Sequence, residues 1–81
     1  MNNAELQTAL TSFPAGAKVR IVGLDGGKGF RSRMLQLGIL PGETVTIVRG
    51  GGMMPLVLEV KGSKVMLGRG AAAKILGAAA A

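Results

Sequence analysis

The chain has 81 residues, enough for one small domain, and a domain of that size buries only about 60–65% of its unfolded surface. It contains no Cys and no His, which excludes disulfides, thiolate-bound metals and the usual general base at neutral pH. Ten basic residues against four acidic ones give a formal charge of +6, and this balance favours acidic partners without saying which.

The N-terminal segment MNNAELQTAL lacks the basic and apolar regions of a secretory leader. No apolar run approaches the ~20 residues that span a bilayer, so a cytoplasmic protein is expected. Residues 1–12 read as irregular or briefly helical, AELQTAL having room for one or two turns, and the domain proper is expected over residues 13–76. FPAG is a turn. AKVRIVGL then alternates, with Val19 and Ile21 on one face and Lys18 and Arg20 on the other. After Asp25-Gly26-Gly27 the period changes. In KGFRSRMLQL, Phe30, Met34 and Leu37 recur at helical spacing, and Arg31 and Arg33 fall off that face.

Gly38 stands where a helix ends in a left-handed residue, and Met34 and Ile39 occupy the positions that make the apolar contact of a Schellman closure. Pro41-Gly42 suits the centre of a type II turn, Pro fixing φ and Gly supplying a positive one. From Glu43 the period is two again, with Val45 and Ile47 inward. Gly50-Gly51-Gly52 is a hairpin tip, and PLVLEVKG is a strand with Leu56, Leu58 and Val60 on one face. Gly62-Ser63 has the composition of a two-residue type II′ turn leading into KVML. GRGAAAKIL predicts a last helical turn or two, and residues 77–81 a frayed alanine-rich tail. The sum is a mainly β fold. A small barrel of five strands or fewer carries one short helix after the first strand and another at the C-terminal end.

Motifs with chemistry are scarce. GLDGGKGF fails the phosphate-loop pattern, because Val22 stands where its first Gly belongs and Gly29 follows Lys28. GRGAAA matches a dinucleotide fingerprint in form, but the chain ends before the required acidic residue. No nucleophile has a base beside it and the carboxylates Glu5, Asp25, Glu43 and Glu59 are scattered, so neither an enzyme nor a resident metal or cofactor is expected. Lys18, Arg20, Arg31, Arg33 and Arg49 could contact phosphates, yet Phe13 and Phe30 alone offer no stacking platform for bases. Met53-Met54 at the Gly-rich tip reads either as an adaptable contact surface or as one Met folded over the barrel end.

Taken together, R-M-L-Q-L-G-I-L-P-G-E-x-V from Arg33, Ile21-Val22-x-Leu24 with Gly26-Gly27, Leu67-Gly68-Arg69 and Ala73-x-Ile75 resemble the FeoA family of small bacterial proteins. The resemblance runs from about Phe13 to Leu76. It implies an SH3-like small barrel and docking, from the cytosolic side, on FeoB, the membrane GTPase that carries ferrous iron. The chain would modulate uptake without catalysis and be associated peripherally with the inner membrane through that permease. A similar domain ends the diphtheria-toxin-repressor type of metal regulator. A basic nucleic-acid-binding or regulator-like barrel is therefore the alternative, with no specific nucleic acid expected. Many relatives carry an acidic residue before the proline of GGGMMP, where this chain has Met54. The expected partner surface comprises Arg31, Arg33, Leu37, Leu40, Pro41, Met53 and Met54, and the structural turns are Gly38, Pro41, Gly42 and Gly62. Leu40 is expected at least partly exposed near the two arginines, and weak self-association is a further expectation.

Overall fold

The computed structural model describes residues 7–80. Its strands are β1 (Thr8–Ala9), β2 (Lys18–Leu24), β3 (Thr44–Arg49), β4 (Leu56–Val60), β5 (Ser63–Leu67) and β6 (Ile75–Ala79). A 3-10 turn (Leu10–Ser12) follows β1, helix α1 (Lys28–Gln36) joins β2 to β3, and helix α2 (Arg69–Ala72) joins β5 to β6. All pairings are antiparallel, in the order β1-β6-β2-β3-β4-β5, and the sheet curls into a small barrel. Its interior is aliphatic: Val19, Ile21, Val45, Ile47, Leu56, Leu58, Val60, Leu67 and Ile75 come from the strands, with Leu10, Met34, Ile39 and Ala72 closing the ends. The period-two positions named from the sequence on β2, β3 and β4 are those that point inward.

Three parts of the chain depart from expectation. Residues Ile75–Ala79 are a strand and not part of a frayed tail. β6 is inserted between β1 and β2, pairing Gly77 with Thr8 on one side and with Ile21 on the other. Gly77 is what allows this close approach. A Cβ there would overlap Val19 Cγ1 and lie 3.3 Å from the Arg20 carbonyl oxygen. Alanine was read as low complexity, but in a strand crossing beneath close neighbours a small side chain is what fits. The barrel thus has six strands, not the five or fewer expected. The N-terminal reading changes likewise. Part of AELQTAL lies outside the described residues, but Thr8–Ala9 is strand and Leu10 is completely buried.

The hairpin after β4 also differs. Val60 pairs with Ser63, so the two turn residues are Lys61 and Gly62. Their φ values of 51° and 84° make a type I′ turn, not the type II′ turn at Gly62-Ser63. Type I′ needs positive φ twice. Lys61 accepts it because the register of the inward-facing pairs Leu56–Leu67 and Leu58–Val65, Val65 being partly buried, leaves no other two residues to reverse the chain.

Candidate functional site

The corner from α1 to β3 is fixed by backbone geometry. Leu37 is the C-cap of α1, Gly38 has φ 83°, and the Gly38 and Ile39 N–H groups donate to the carbonyls of Leu35 (2.9 Å) and Met34 (2.8 Å). That pair of bonds is the Schellman closure, and its apolar partners Met34 and Ile39 are both completely buried. Three residues on, Glu43 N–H donates to the Leu40 carbonyl at 3.1 Å with Gly42 at φ 97°, a type II turn centred on Pro41-Gly42. The turn is tied to β2 from both sides: Gly42 N–H donates to Ile21 O (2.9 Å) and Ile21 N–H donates to Glu43 O (2.8 Å). The β4–β5 hairpin braces it from the other flank. Val60 Cγ1 would lie 3.3 Å from a Cβ on Gly38, and Lys61 Nζ is 3.6 Å from Glu43 Oε2. Such a surface pair is worth about 0–1 kcal/mol, so backbone hydrogen bonds and burial supply most of the rigidity.

Helix α1 presents the rest of this surface. Phe30 and Met34 form its inward stripe, Met34 buried and Phe30 half-buried beneath Lys74, whose Nζ is 5.6 Å from the ring centroid. Leu37, expected at helical spacing to continue that stripe, is 38% exposed at the C-cap of the helix. At 3.6 residues per turn Arg33 and Leu37 share one flank of the stripe, while Lys28, Arg31 and Leu35 share the other. Arg31 and Arg33 are both exposed. Leu35, 59% exposed, escaped the sequence reading, though its spacing of four from Arg31 marks it. The helix carries three cations and no carboxylate. Leu40 is half-buried and Pro41 exposed, in line with the expectation of a partly exposed Leu40.

The seven partner-surface residues do not form one patch. Arg31, Arg33, Leu37, Leu40 and Pro41 lie before β3, and Met53 and Met54 follow it. A strand of six residues rising ~3.3 Å each separates the two groups by roughly 20 Å. At the far end Met53 is 93% and Met54 58% exposed, so neither folds back over the barrel. Arg69 holds this loop from below, Nη1 donating to the carbonyls of Gly51 (3.2 Å) and Met54 (3.0 Å). Met66, 68% exposed on the outer face of β5, was also missed. The alternation of S-K-V-M-L, with Leu67 buried, would have placed it outward.

Among the described residues no three His, Cys, Asp or Glu side chains come together as a metal site. No helix among them is long and apolar enough to cross a membrane.

The chain is similar to known proteins in sequence and in fold. The FeoA domain matches residues 8–78, taking in β1 and most of β6. The chain is 33% identical over 61 residues to the Fe(2+) transport protein A of Methanocaldococcus jannaschii, covering 75% of this chain and 73% of that protein. Its fold superposes on the crystal structure of an iron uptake regulatory protein (FeoA) with a TM-score of 0.87 and 24% identity, covering 93% of this chain and all of the other. The same SH3-like small barrel occurs in a manganese-dependent transcriptional repressor, at TM-score 0.84 and 14% identity, where it spans 44% of the longer protein and 95% of this one. On the extent of the domain match and of the Methanocaldococcus similarity, this chain belongs to the FeoA family of iron transport accessory proteins.

Proposed function

We propose that this chain is a non-catalytic cytoplasmic accessory that docks on the cytosolic side of a FeoB-type membrane GTPase permease and modulates its uptake of ferrous iron. The carrying observation is the braced corner. Apolar Leu37, Leu40 and Pro41 are presented on backbone that cannot readily shift, beside a helix with cations and no carboxylate. An interface needs an apolar anchor that is already ordered, since ordering it on binding costs free energy, and charge around it sets orientation and on-rate. The partner face should therefore be acidic around an apolar recess. Lack of His and Cys leaves this chain few means to bind iron itself or to do chemistry, which supports an accessory role beside a separate transporter.

Capture of the permease or its cytosolic domains by this chain, with and without guanine nucleotide, tests the reading. Binding in at least one state is expected, and no binding in any state, nor to the full-length permease, sinks it.

A second reading, a nucleic-acid-binding or regulator-like barrel, draws on the charge of +6 and on the repressor fold. It predicts duplex binding that falls with salt at a log–log slope of about −0.9 per phosphate contacted. Stacking aromatics matter for single strands and not for duplexes, so the duplex measurement decides, and absence of a band shift at low salt disposes of this reading.

A further inference from the structure

The end of the barrel opposite the corner has a composition of its own. It is built from the Pro14–Gly16 turn, the loop after β3 and the start of α2. Gly16 N–H donates to Ile47 O at 2.7 Å, and a Cβ on Gly50 would come within 2.8 Å of the Phe13 carbonyl oxygen, so the first two lie side by side. Arg69 at the start of α2 bonds the loop. Residues 13–17, 49–56 and 66–70 contain two cations, Arg49 and Arg69, and no carboxylate. At the tip, Met53 stands clear of the protein, Met54 is more than half exposed, and Met66 is exposed on the neighbouring strand. The described residues form no ligand-sized pocket here.

An exposed apolar tip above a cationic base fits an anionic lipid surface. Apolar side chains enter the boundary between headgroups and acyl chains, and Lys or Arg remain at the level of the phosphates. Backbone carbonyls oppose such insertion unless they are already bonded, because dehydrating a bare one is costly. Here the Arg69 guanidinium bonds two of them, those of Gly51 and Met54, while keeping its charge at the base of the loop. A second copy of the chain is a poorer occupant, since it would bring another +6 against the same cations.

We propose that residues 50–54 are an interfacial anchor that seats in the headgroup region of an anionic bilayer, Met53 and Met54 reaching the acyl boundary and Arg49 and Arg69 facing the phosphates. The anchor is weak and reversible. It does not depend on the permease reading and lies at the other end of β3 from the corner, so both surfaces can be occupied at once.

The natural chain has no Trp, so a single tryptophan reports its own surroundings. Met53→Trp and, at the other end, Gln36→Trp are mixed with permease-free vesicles of phosphatidylglycerol and phosphatidylcholine, and with phosphatidylcholine alone. The expected result is a blue shift for Met53→Trp with the anionic vesicles only, and none for Gln36→Trp. Because Trp itself favours membranes, co-sedimentation of the unaltered chain with Met53→Ser and Met54→Ser accompanies it, each serine weakening vesicle binding about tenfold with unchanged thermal unfolding. The proposal is overturned if the unaltered chain does not sediment with anionic vesicles at low salt. It is equally overturned if both tryptophans shift alike, or if the serine variants bind vesicles normally. Serine variants that instead change the lipid-free sedimentation, or weaken only permease capture in detergent, reassign the tip to self-association or to the permease and likewise overturn it.

Discussion

Gly38 and Gly77 constrain the fold by different physics, and substituting each tests a different statement. At Gly38 the φ of 83° is the left-handed conformation, which costs a residue with a Cβ roughly 1–2 kcal/mol, and Val60 Cγ1 stands 3.3 Å from the new atom. Gly38→Ala should therefore lower the melting temperature by several degrees, at about 4–8 °C per kcal/mol for a domain of this size, without changing the circular dichroism at 25 °C. Gly77 has no such φ; its restraint is overlap with Val19 in the middle of the sheet. Overpacking of this kind costs about 1–3 kcal/mol. Gly77→Ala should lower the melting temperature at least as much, and pairing it with Val19→Ala should recover part of the loss. Recovery is the telling result, because a residue strained only in its backbone would gain nothing from a smaller neighbour.

At the scale of elements, β6 carries the most consequence for so little sequence signal. It pairs with β1 and β2 together, so ending the chain at Lys74 removes two ladders and the buried Ile75 and Ala78. That truncation should abolish the cooperative thermal transition, whereas a tail that merely frayed would be dispensable. The reason β6 was not legible lies in its residues. Ile75, Leu76, Gly77, Ala78 and Ala79 have one β-branched member, and Gly and Ala are poor strand formers in isolation. Tertiary fit against Val19 and Leu10, which no local pattern encodes, overrides that propensity. By contrast the corner could be read almost atom by atom. Gly38, Pro41 and Gly42 act through their own backbone preferences, and Met34 and Ile39 are apolar at the spacing the closure needs. The type I′ turn at Lys61-Gly62 falls between these cases, since its position follows from the register of inward-facing pairs across the hairpin and not from the turn residues.

For the molecule as a whole, charge and shape separate two ends of one barrel. The corner end offers Leu37, Leu40 and Pro41 with the cations of α1, and the loop end offers Met53 and Met54 above Arg49 and Arg69. Composition told that the chain is basic and lacks His and Cys; only the fold told that the predicted contact residues divide between ends. Attraction to an acidic permease face should be screened, the Debye length falling from about 10 Å at 0.1 M to about 3 Å at 1 M salt. Capture should weaken as salt rises but survive in part through the apolar anchor. The most direct test of the docking account is titration of the full-length permease in detergent with the unaltered chain and with Leu40→Glu. Leu40 is half-buried on a turn whose hydrogen bonds are all main chain, so the substituted protein should keep its circular dichroism and lose roughly tenfold or more in affinity. If Leu40→Glu folds and binds the permease as tightly as the unaltered chain, or if it unfolds the domain, the corner is not the docking surface.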